Sequence, residues 1–286
     1  MTLPVEELDT LAQRQYASAA RQCGTCRVYH ALWPIVRVAR QVGGVEADEP
    51  FLGPLLAQLI GSTPRHIVLA GSADSGVLAL VHRASLAGGA AHRFTVVDRC
   101  TTPFDACRFH AERHGIRLDT LQADLRQFPR ELQADIIVGH SVLPFLPIED
   151  RRRALASLRE GLARGGRVVL SARVAPADRD REEHTRHPGQ WAAALFESVQ
   201  ARMRERGVPL PCSDEELDAM IRLWVASDKF QVVPHEEEDV LKEDLRAVGF
   251  EVERVLPVGD ASEFMKDGRI SVTAKKGIVV VTGPKP

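Results

Sequence analysis

The sequence lacks the features that would tie it to a membrane or to nucleic acid. Its 286 residues contain no apolar run of the roughly 20 residues that a membrane-spanning helix needs. The N-terminus lacks the basic segment and apolar core of a secretory signal. The formal net charge is −2, so no general positive field attracts nucleic acid or an anionic membrane surface. We therefore expect no nucleic-acid partner and no membrane partner.

Cysteine is scarce, and its number is odd. Five cysteines in a chain too long to need disulfide staples favour a reducing compartment, and the sequence predicts a cytoplasmic protein. Hydrophobic residues make up 44% and charged residues 27%, which is ordinary for a globular protein. The length suits one large domain or a domain with an insertion. The chain shows no internal repeat and no low-complexity tract.

The most informative segment is a strand, turn, helix and strand in succession. Apolar residues 67–69 lead into a small-residue turn from Gly71 to Gly76, and a second apolar strand, 94–97, ends at Asp98. A βαβ unit builds a nucleotide pocket in this order, because small residues let the backbone approach the ligand and an acid after the second strand accepts from ribose hydroxyls. The G-x-G-x-x-G fingerprint of dinucleotide-binding proteins is not matched, which disfavours NAD.

Strand and helix patterns divide the chain into four predicted regions. Alternating apolar strands and helices over 63–174 predict a parallel sheet covered on both faces, the cofactor-binding core. Helical periodicity predicts an N-terminal helical extension or lid over 1–62 and a helical cap insertion over 175–234. The strand and helix pattern resumes over 235–286, which we expect to complete the sheet.

Several degenerate motifs, in a fixed order, resemble the class I methyltransferases that use S-adenosylmethionine (SAM). The turn at Gly71 resembles their motif I, although Ala73 and Ser75 replace two of its glycines. Residues 134–146, 162–171 and 248–252 resemble their later landmarks, and the resemblance covers about 65–174 and 235–283. It implies an α/β fold with a doubly wound, seven-stranded, mostly parallel sheet whose last strand is antiparallel.

The resemblance implies SAM as the cofactor and assigns residues to its methionine and ribose parts. Gly71 leaves room for the methionine tail, and backbone N–H groups of Ser72, Ala73 and Ser75 meet its polar groups. Asp98 accepts hydrogen bonds from both ribose hydroxyls.

The resemblance also assigns residues to the adenine end. Arg99 packs beside the adenine, Asp124 accepts from its amine, and the Leu125 amide donates to the ring. For Asp124 the alternative is a helix N-cap. His140 and Ser141, after the fourth strand, are expected to contact SAM at the mouth of the sheet.

Methyl transfer needs alignment of the reactants more than it needs a catalytic group. The sulfonium is already activated, and a general base is required only when the acceptor arrives protonated. The catalytic candidates are His140, Tyr29 and His30. Their alternatives are simple pocket lining for His140 and ordinary helix packing for Tyr29. We expect the N-terminal helices to pack over the methionine end of SAM, with Tyr29 or His30 facing the pocket.

A second set of residues has the spacing of a metal site. Cys23, Cys26 and His30 follow a C-x-x-C-x-x-x-H pattern, but a structural zinc site needs a fourth ligand and no second C-x-x-C follows. We therefore expect no metal. Cap aromatic residues, including Trp191 and Trp224, either line an acceptor pocket or pack in a helical core.

Three functions remain open on sequence grounds. The first is a SAM-dependent methyltransferase acting on an O or N of a small molecule. It is favoured by the non-basic charge and by the absence of an N-P-P-Y motif after the fourth strand. It is also favoured by the predicted helical lid and cap, which we expect to enclose the pocket. The second breaks another bond of SAM, as in aminocarboxypropyl transfer or SAM cyclisation. The third is a non-catalytic SAM-fold protein that binds a partner. A homodimer is also left open.

Overall fold

A single mixed sheet organises the chain. The computed structural model describes residues 5–39, 45, 48–174, 188–226, 238–258 and 276–284. The strands are β1 (His66–Ala70), β2 (Arg93–Asp98), β3 (Leu118–Gln122), β4 (Ala134–His140), β5 (Leu162–Val174), β6 (Phe250–Val258) and β7 (Lys276–Pro284). They pair in the order β3-β2-β1-β4-β5-β7-β6. β7 runs antiparallel to both of its neighbours, and the other pairings are parallel. The predicted seven-stranded α/β fold is confirmed.

The centre of the sheet is apolar because both of its faces are covered by helices. Residues 67–70 of β1 are fully buried, and Leu69 pairs in register with Val96 of β2 and Val138 of β4. Such continuous apolar strands are characteristic of parallel sheets with helices on both sides. The carboxyl ends of β1, β2 and β4 therefore meet at one edge, the edge at which such sheets bind ligands.

Nine described helices surround the sheet or stand beside it. They are α1 (Val5–Gln22), α2 (Arg27–Val38), α3 (Glu49–Ile60), α4 (Gly76–Leu86), α5 (Thr102–His114), α6 (Ile148–Glu160), α7 (Pro188–Glu205), α8 (Asp214–Ala226) and α9 (Glu238–Ala247). Apolar residues of α3, α4 and α5 pack on one face of the sheet, and those of α6 and α9 pack on the other. None of the described helices combines the length and apolar character that crossing a membrane requires.

A separate helical core forms where α2 meets the cap. Leu32, Ile35 and Val36 of α2 are fully buried in a cluster with Val199 of α7 and Ile221 of α8. The described part of the predicted cap, 188–226, is thus helical, while 175–187 and 227–234 lie outside the described residues. The boundaries of the four predicted regions stay predictions.

The cap aromatics belong to this helical core. Trp224 is buried in the cluster, and Trp191 and Phe196 pack against it from its margin. None of the described cap residues lines the cavity at the carboxyl edge of the sheet. The expectation that the cap itself encloses the pocket is therefore not met by its described part, because its apolar faces are used against the outer side of α2.

Candidate active site

A cavity of about 390 Å³ lies at the carboxyl edge of the sheet. One wall is made by the ends of β1, β2 and β4, and the opposite wall by α2. The volume lies within the roughly 300–1,000 Å³ typical of small-molecule pockets. Most predicted site residues line it, namely Tyr29, His30, Gly71, Ser72, Ala73, Asp98, Arg99, Asp124, Leu125, His140 and Ser141.

The turn after β1 requires glycine at its first position. Gly71 has a φ of +78°, a left-handed conformation that L-residues rarely adopt. A Cβ at this position would lie 2.5 Å from Cγ2 of Val142, so the close approach of Val142 also requires glycine. The same turn buries Ser75 completely, and Ser75 is not among the residues that line the cavity. The turn thus offers Ser72 and Ala73 to a ligand, and not the Ser75 side chain.

Asp98 closes β2 with its carboxylate held in a fixed orientation. The Ser72 N–H donates to Oδ2 at 2.9 Å, and the Cys100 N–H donates to Oδ1 at 2.7 Å. Burial raises the pKa of this carboxyl, while the two backbone donors oppose the rise. Because a carboxylate oxygen has two lone pairs, each oxygen keeps an acceptor site for a ligand hydroxyl.

Asp124 lies at the cavity rim and is held by its own segment. It caps the single turn Leu125–Gln127, accepting from the Arg126 N–H at 2.9 Å and from the Arg126 guanidinium at 2.9 and 2.7 Å. These hydrogen bonds lower the pKa of Asp124 to about 2. The N-cap alternative is therefore realised, and Leu125, which is buried, forms the adjoining apolar surface.

His140 ends β4 and is paired with a buried carboxylate. Its Nε2 lies 2.9 Å from Oδ2 of Asp48, whose residue is only 1% exposed. An ionised Asp48 can only accept a hydrogen bond, so we assign the imidazole proton to Nε2, the donor. Nδ1 then carries the lone pair of the neutral ring. The next residue, Ser141, has a φ of +51°, and its N–H donates to the Ser171 carbonyl at 3.0 Å. A histidine oriented by a carboxylate is the arrangement of a general base.

The α2 wall carries an aromatic and charged face. Tyr29, Trp33 and Arg37 are spaced four residues apart, so they lie on one side of the helix and all three line the cavity. Trp33 Nε1 donates to Asp74 Oδ2 at 3.0 Å, and Arg37 Nη1 lies 2.5 Å from the same oxygen. The Arg37 and Asp74 side chains are 6% and 9% exposed. This buried ion pair joins α2 to the turn after β1.

Tyr29 contributes an aromatic surface and remains protonated. Its ring stacks on Trp33 with centroids 5.8 Å apart, and its edge meets Phe145 at 5.5 Å. Burial, and then the charges of Asp74 and Asp98, raise the pKa of the phenol above its usual value. A phenol with a raised pKa is a poor base at neutral pH, so Tyr29 is suited to contact and hydrogen bonding.

His30 faces a group of cysteines. Its Nδ1 lies 3.2 Å from Cys23 Sγ, at the point where the loop after β2 brings Cys100 beside the N-terminal helices. His30 is buried and also lines the cavity, so its catalytic role stays a prediction.

Several site residues were missed by the sequence reasoning, among them Arg37, Asp74 and Asp48. Arg37 follows Tyr29 and Trp33 at a spacing of four residues, and this spacing indicates that all three lie on the same side of a helix. Asp74 lies inside the motif I turn but was taken only as a turn residue. Asp48 precedes α3 and gives no local sign that it reaches His140, 92 residues away in the sequence.

Comparisons with known proteins agree with this geometry. Residues 67–166 match a family model described as a methyltransferase domain. A carboxy-S-adenosyl-L-methionine synthase from Erwinia tasmaniensis is 32% identical over 90 residues, which are 31% of this chain and 36% of that protein. The match therefore spans about a third of that relative's own length.

Solved structures share the fold at low sequence identity. A putative methyltransferase from Bacillus halodurans has a TM-score of 0.50 and 14% identity, with 81% of this chain and 98% of that chain covered. Mitomycin 7-O-methyltransferase MmcR has a TM-score of 0.53 and 16% identity, covering 96% and 68%. A Rhodobacter sphaeroides protein described as a putative Zn-dependent alcohol dehydrogenase has a TM-score of 0.54 and 14% identity, covering 97% and 99%.

At these identities the solved structures show the fold alone, whereas the family model also bears on the cofactor. The family match and the named relative confirm the expected cofactor, SAM. Residues 67–166 thus match a methyltransferase-domain model, and the chain has the fold of the class I SAM-dependent methyltransferases.

Proposed function

We propose that this chain transfers a methyl group from SAM to an oxygen or nitrogen of a small-molecule acceptor. The observation that carries the proposal is the hydrogen bond of 2.9 Å between His140 and the buried Asp48, inside the same cavity as Gly71 and Asp98. The residues that we assign to the cofactor and the histidine oriented by Asp48 line the same cavity. That combination suits an acceptor that arrives protonated.

The charges along the cavity match the parts of SAM. Asp98 offers two acceptor oxygens to the ribose hydroxyls, and Gly71 lines the same cavity, where we assign the methionine tail. That tail carries a carboxylate and an ammonium group. Arg37 and Asp74, which line the cavity together beside the turn, present one charge of each sign to it.

The acceptor side of the cavity is aromatic and apolar. Tyr29, Trp33 and Phe145 form it, next to His140 at the end of β4. In the reaction, His140 Nδ1 takes the proton from the acceptor hydroxyl or amine as the acceptor attacks the methyl carbon. The carbon–sulfur bond breaks, its electron pair stays on sulfur, and S-adenosylhomocysteine leaves. The Asp48 carboxylate stabilises the imidazolium that forms.

Product analysis tests this proposal. The wild-type protein is incubated with SAM and panels of phenols, alcohols and amines, and the nucleoside product is identified by mass spectrometry. We expect S-adenosylhomocysteine together with an acceptor heavier by one methylene unit. His140→Gln should lower turnover about 100-fold or more while SAM still binds, within the range typical of general-base loss. His114→Gln, on the exposed surface of α5, is the matched control and should not change turnover.

A second candidate is a SAM reaction at another bond. It is favoured by the name of the Erwinia relative, a carboxy-S-adenosyl-L-methionine synthase, whose match covers part of the core. Methylthioadenosine or a carboxylated SAM as product would support it against methyl transfer. SAM binding without any product across the panels would instead support the non-catalytic alternative.

A further inference from the structure

Four metal-ligating side chains from distant parts of the sequence converge beside the cavity. Cys23 and Cys26 lie in the connection between α1 and α2, His30 lies on α2, and Cys100 lies in the loop after β2. Their ligand atoms, three sulfurs and one ring nitrogen, all lie within 4.8 Å of one another. We expected no metal because the sequence pattern supplies only three ligands. In the structure, Cys100 supplies the fourth.

The spacing of these atoms is close to that of a tetrahedral zinc site. Cys23 Sγ lies 3.5 Å from Cys100 Sγ and 3.2 Å from His30 Nδ1, and Cys26 Sγ lies 3.6 Å from Cys100 Sγ. With Zn–S near 2.3 Å and Zn–N near 2.0–2.1 Å, tetrahedral geometry places sulfurs about 3.8 Å apart and sulfur and nitrogen about 3.6 Å apart. An ion at the centre therefore requires only small shifts of the side chains.

The surroundings of the cluster also suit thiolate ligands. Thr102 Oγ1 lies 3.0 Å from Cys23 Sγ, within reach to donate a hydrogen bond. Cys100 lies just before the N-terminus of α5, where the helix dipole favours negative charge. The sulfur–sulfur distances are much longer than the roughly 2.05 Å of a disulfide, and all five cysteines of the chain are free.

We propose that the chain binds one Zn²⁺ ion through Cys23, Cys26, His30 and Cys100. Thiolate and imidazole ligands favour zinc over the hard cations magnesium and calcium. Four protein ligands fill the tetrahedral shell and leave no open position for water, which makes this a structural site and not a catalytic one.

The zinc ligands connect the start of α2 to the loop after β2, which carries Cys100. Cys100 also donates its N–H to Asp98 Oδ1 at 2.7 Å, so the loop that holds the metal ligand also orients the carboxylate assigned to the ribose. Zinc bound here fixes the start of α2 against that loop. This role depends on the proposed SAM site, whereas metal binding itself does not.

Metal analysis of the whole protein tests the site directly. The protein is purified under reducing conditions, and zinc is measured by inductively coupled plasma mass spectrometry, with X-ray absorption at the zinc edge. We expect about one zinc per chain, bound by three sulfurs and one nitrogen. Cys100→Ser should lower the zinc content at least tenfold. Cys212→Ser, half-buried outside the cluster, is the control and should retain zinc.

Two substitutions of His30 distinguish a zinc ligand from a residue that only stabilises the fold. His30→Ala should lose zinc, whereas His30→Cys should retain it and change the absorption edge to a four-sulfur environment. Zinc retained at full occupancy in Cys100→Ser would overturn the proposal. So would a reduced wild-type protein that takes up no added Zn²⁺, or an intramolecular disulfide among these cysteines in the protein as purified. If the variants do not fold, the ligand count from X-ray absorption on the wild type decides alone.

A separate experiment measures how zinc affects SAM binding. Zinc removed by a chelator should weaken SAM binding and lower the melting temperature, and added Zn²⁺ should restore both. A protein that binds zinc but not SAM would keep the metal site and overturn the proposed function instead.

Discussion

The two walls of the cavity are built in different ways. The sheet wall presents backbone and short side chains at the ends of strands, as at Gly71 and Asp98, where the strand register fixes their positions. The α2 wall presents long side chains, Trp33 and Arg37, that are held by Asp74 of the opposite wall. The strand register therefore fixes the sheet wall, whereas the helical wall depends on the contacts of α2 with Asp74 and with the helical core around it.

This difference predicts two kinds of mutational effect. Changes in the α2 wall should lower the stability of the protein, because its contacts are buried and charged. Changes in the sheet wall should lower ligand affinity first, because the sheet itself is held by the apolar core behind it.

Removing Arg37 should have the largest effect. Arg37→Ala leaves Asp74 buried without its main cationic partner, which typically costs about 3–5 kcal/mol of the free energy of unfolding. Urea denaturation measures the change. Arg222→Ala is the matched control, because it breaks an exposed pair with Asp218 on the surface of α8 and should change the stability little. Similar losses in the two variants would contradict the role given to the buried pair.

Gly71→Ala should disrupt the turn and the ligand site together. The left-handed backbone costs an L-residue about 1–2 kcal/mol, and the new Cβ would clash with Val142. We expect SAM affinity to fall about 100-fold, measured by calorimetry. Gly115→Ala offers a matched control, since Gly115 also has a positive φ of 63° but no atom within 4 Å of the added Cβ. It should lose stability similarly and bind SAM normally.

Asp98→Ala should weaken SAM binding by about 1.5–3 kcal/mol, which is the cost of leaving ribose hydroxyls without their charged acceptor. The effect is read from titrations of folded protein at constant ionic strength. Asp119→Ala, on the exposed edge of β3, is the comparison and should leave the affinity unchanged. Equal SAM affinity in Asp98→Ala and the wild type would remove Asp98 from the site.

Asp48→Asn should have the smallest effect of the four. The amide keeps the shape of the side chain but removes the charge that orients His140 and stabilises its protonated form. We expect kcat to fall about tenfold while KM for SAM stays constant. An unchanged kcat in a folded Asp48→Asn protein would assign Asp48 a purely structural role.

The sheet wall was predictable from the sequence because its signals are local. A strand that ends in a glycine turn and a strand that ends in an acid place Gly71 and Asp98 without any knowledge of distant contacts. The motifs that resemble the methyltransferase landmarks then implied a seven-stranded sheet whose last strand is antiparallel. The backbone N–H of Ser75 stays a prediction, and the structure adds that the Ser75 side chain is fully buried.

The helical wall and the cysteine cluster were not predictable in the same way. Asp48 reaches His140 across 92 residues, and Cys100 reaches Cys23 across 77. Sequence spacing encodes contacts within one helix or turn, and it does not encode how a helix docks on a sheet. The cap was expected to close the pocket, but its described helices pack behind α2, because helical periodicity shows that a face is apolar without showing what covers it.

A calorimetric titration of the wild-type protein with SAM tests the central claim most directly, namely that the two walls enclose a SAM site. The account predicts saturable binding with one site per chain, weakened about 10- to 100-fold in Asp98→Ala. S-adenosylhomocysteine should compete for the same site. A wild-type protein that is folded, reduced and supplied with zinc, yet shows no saturable SAM binding, would contradict it.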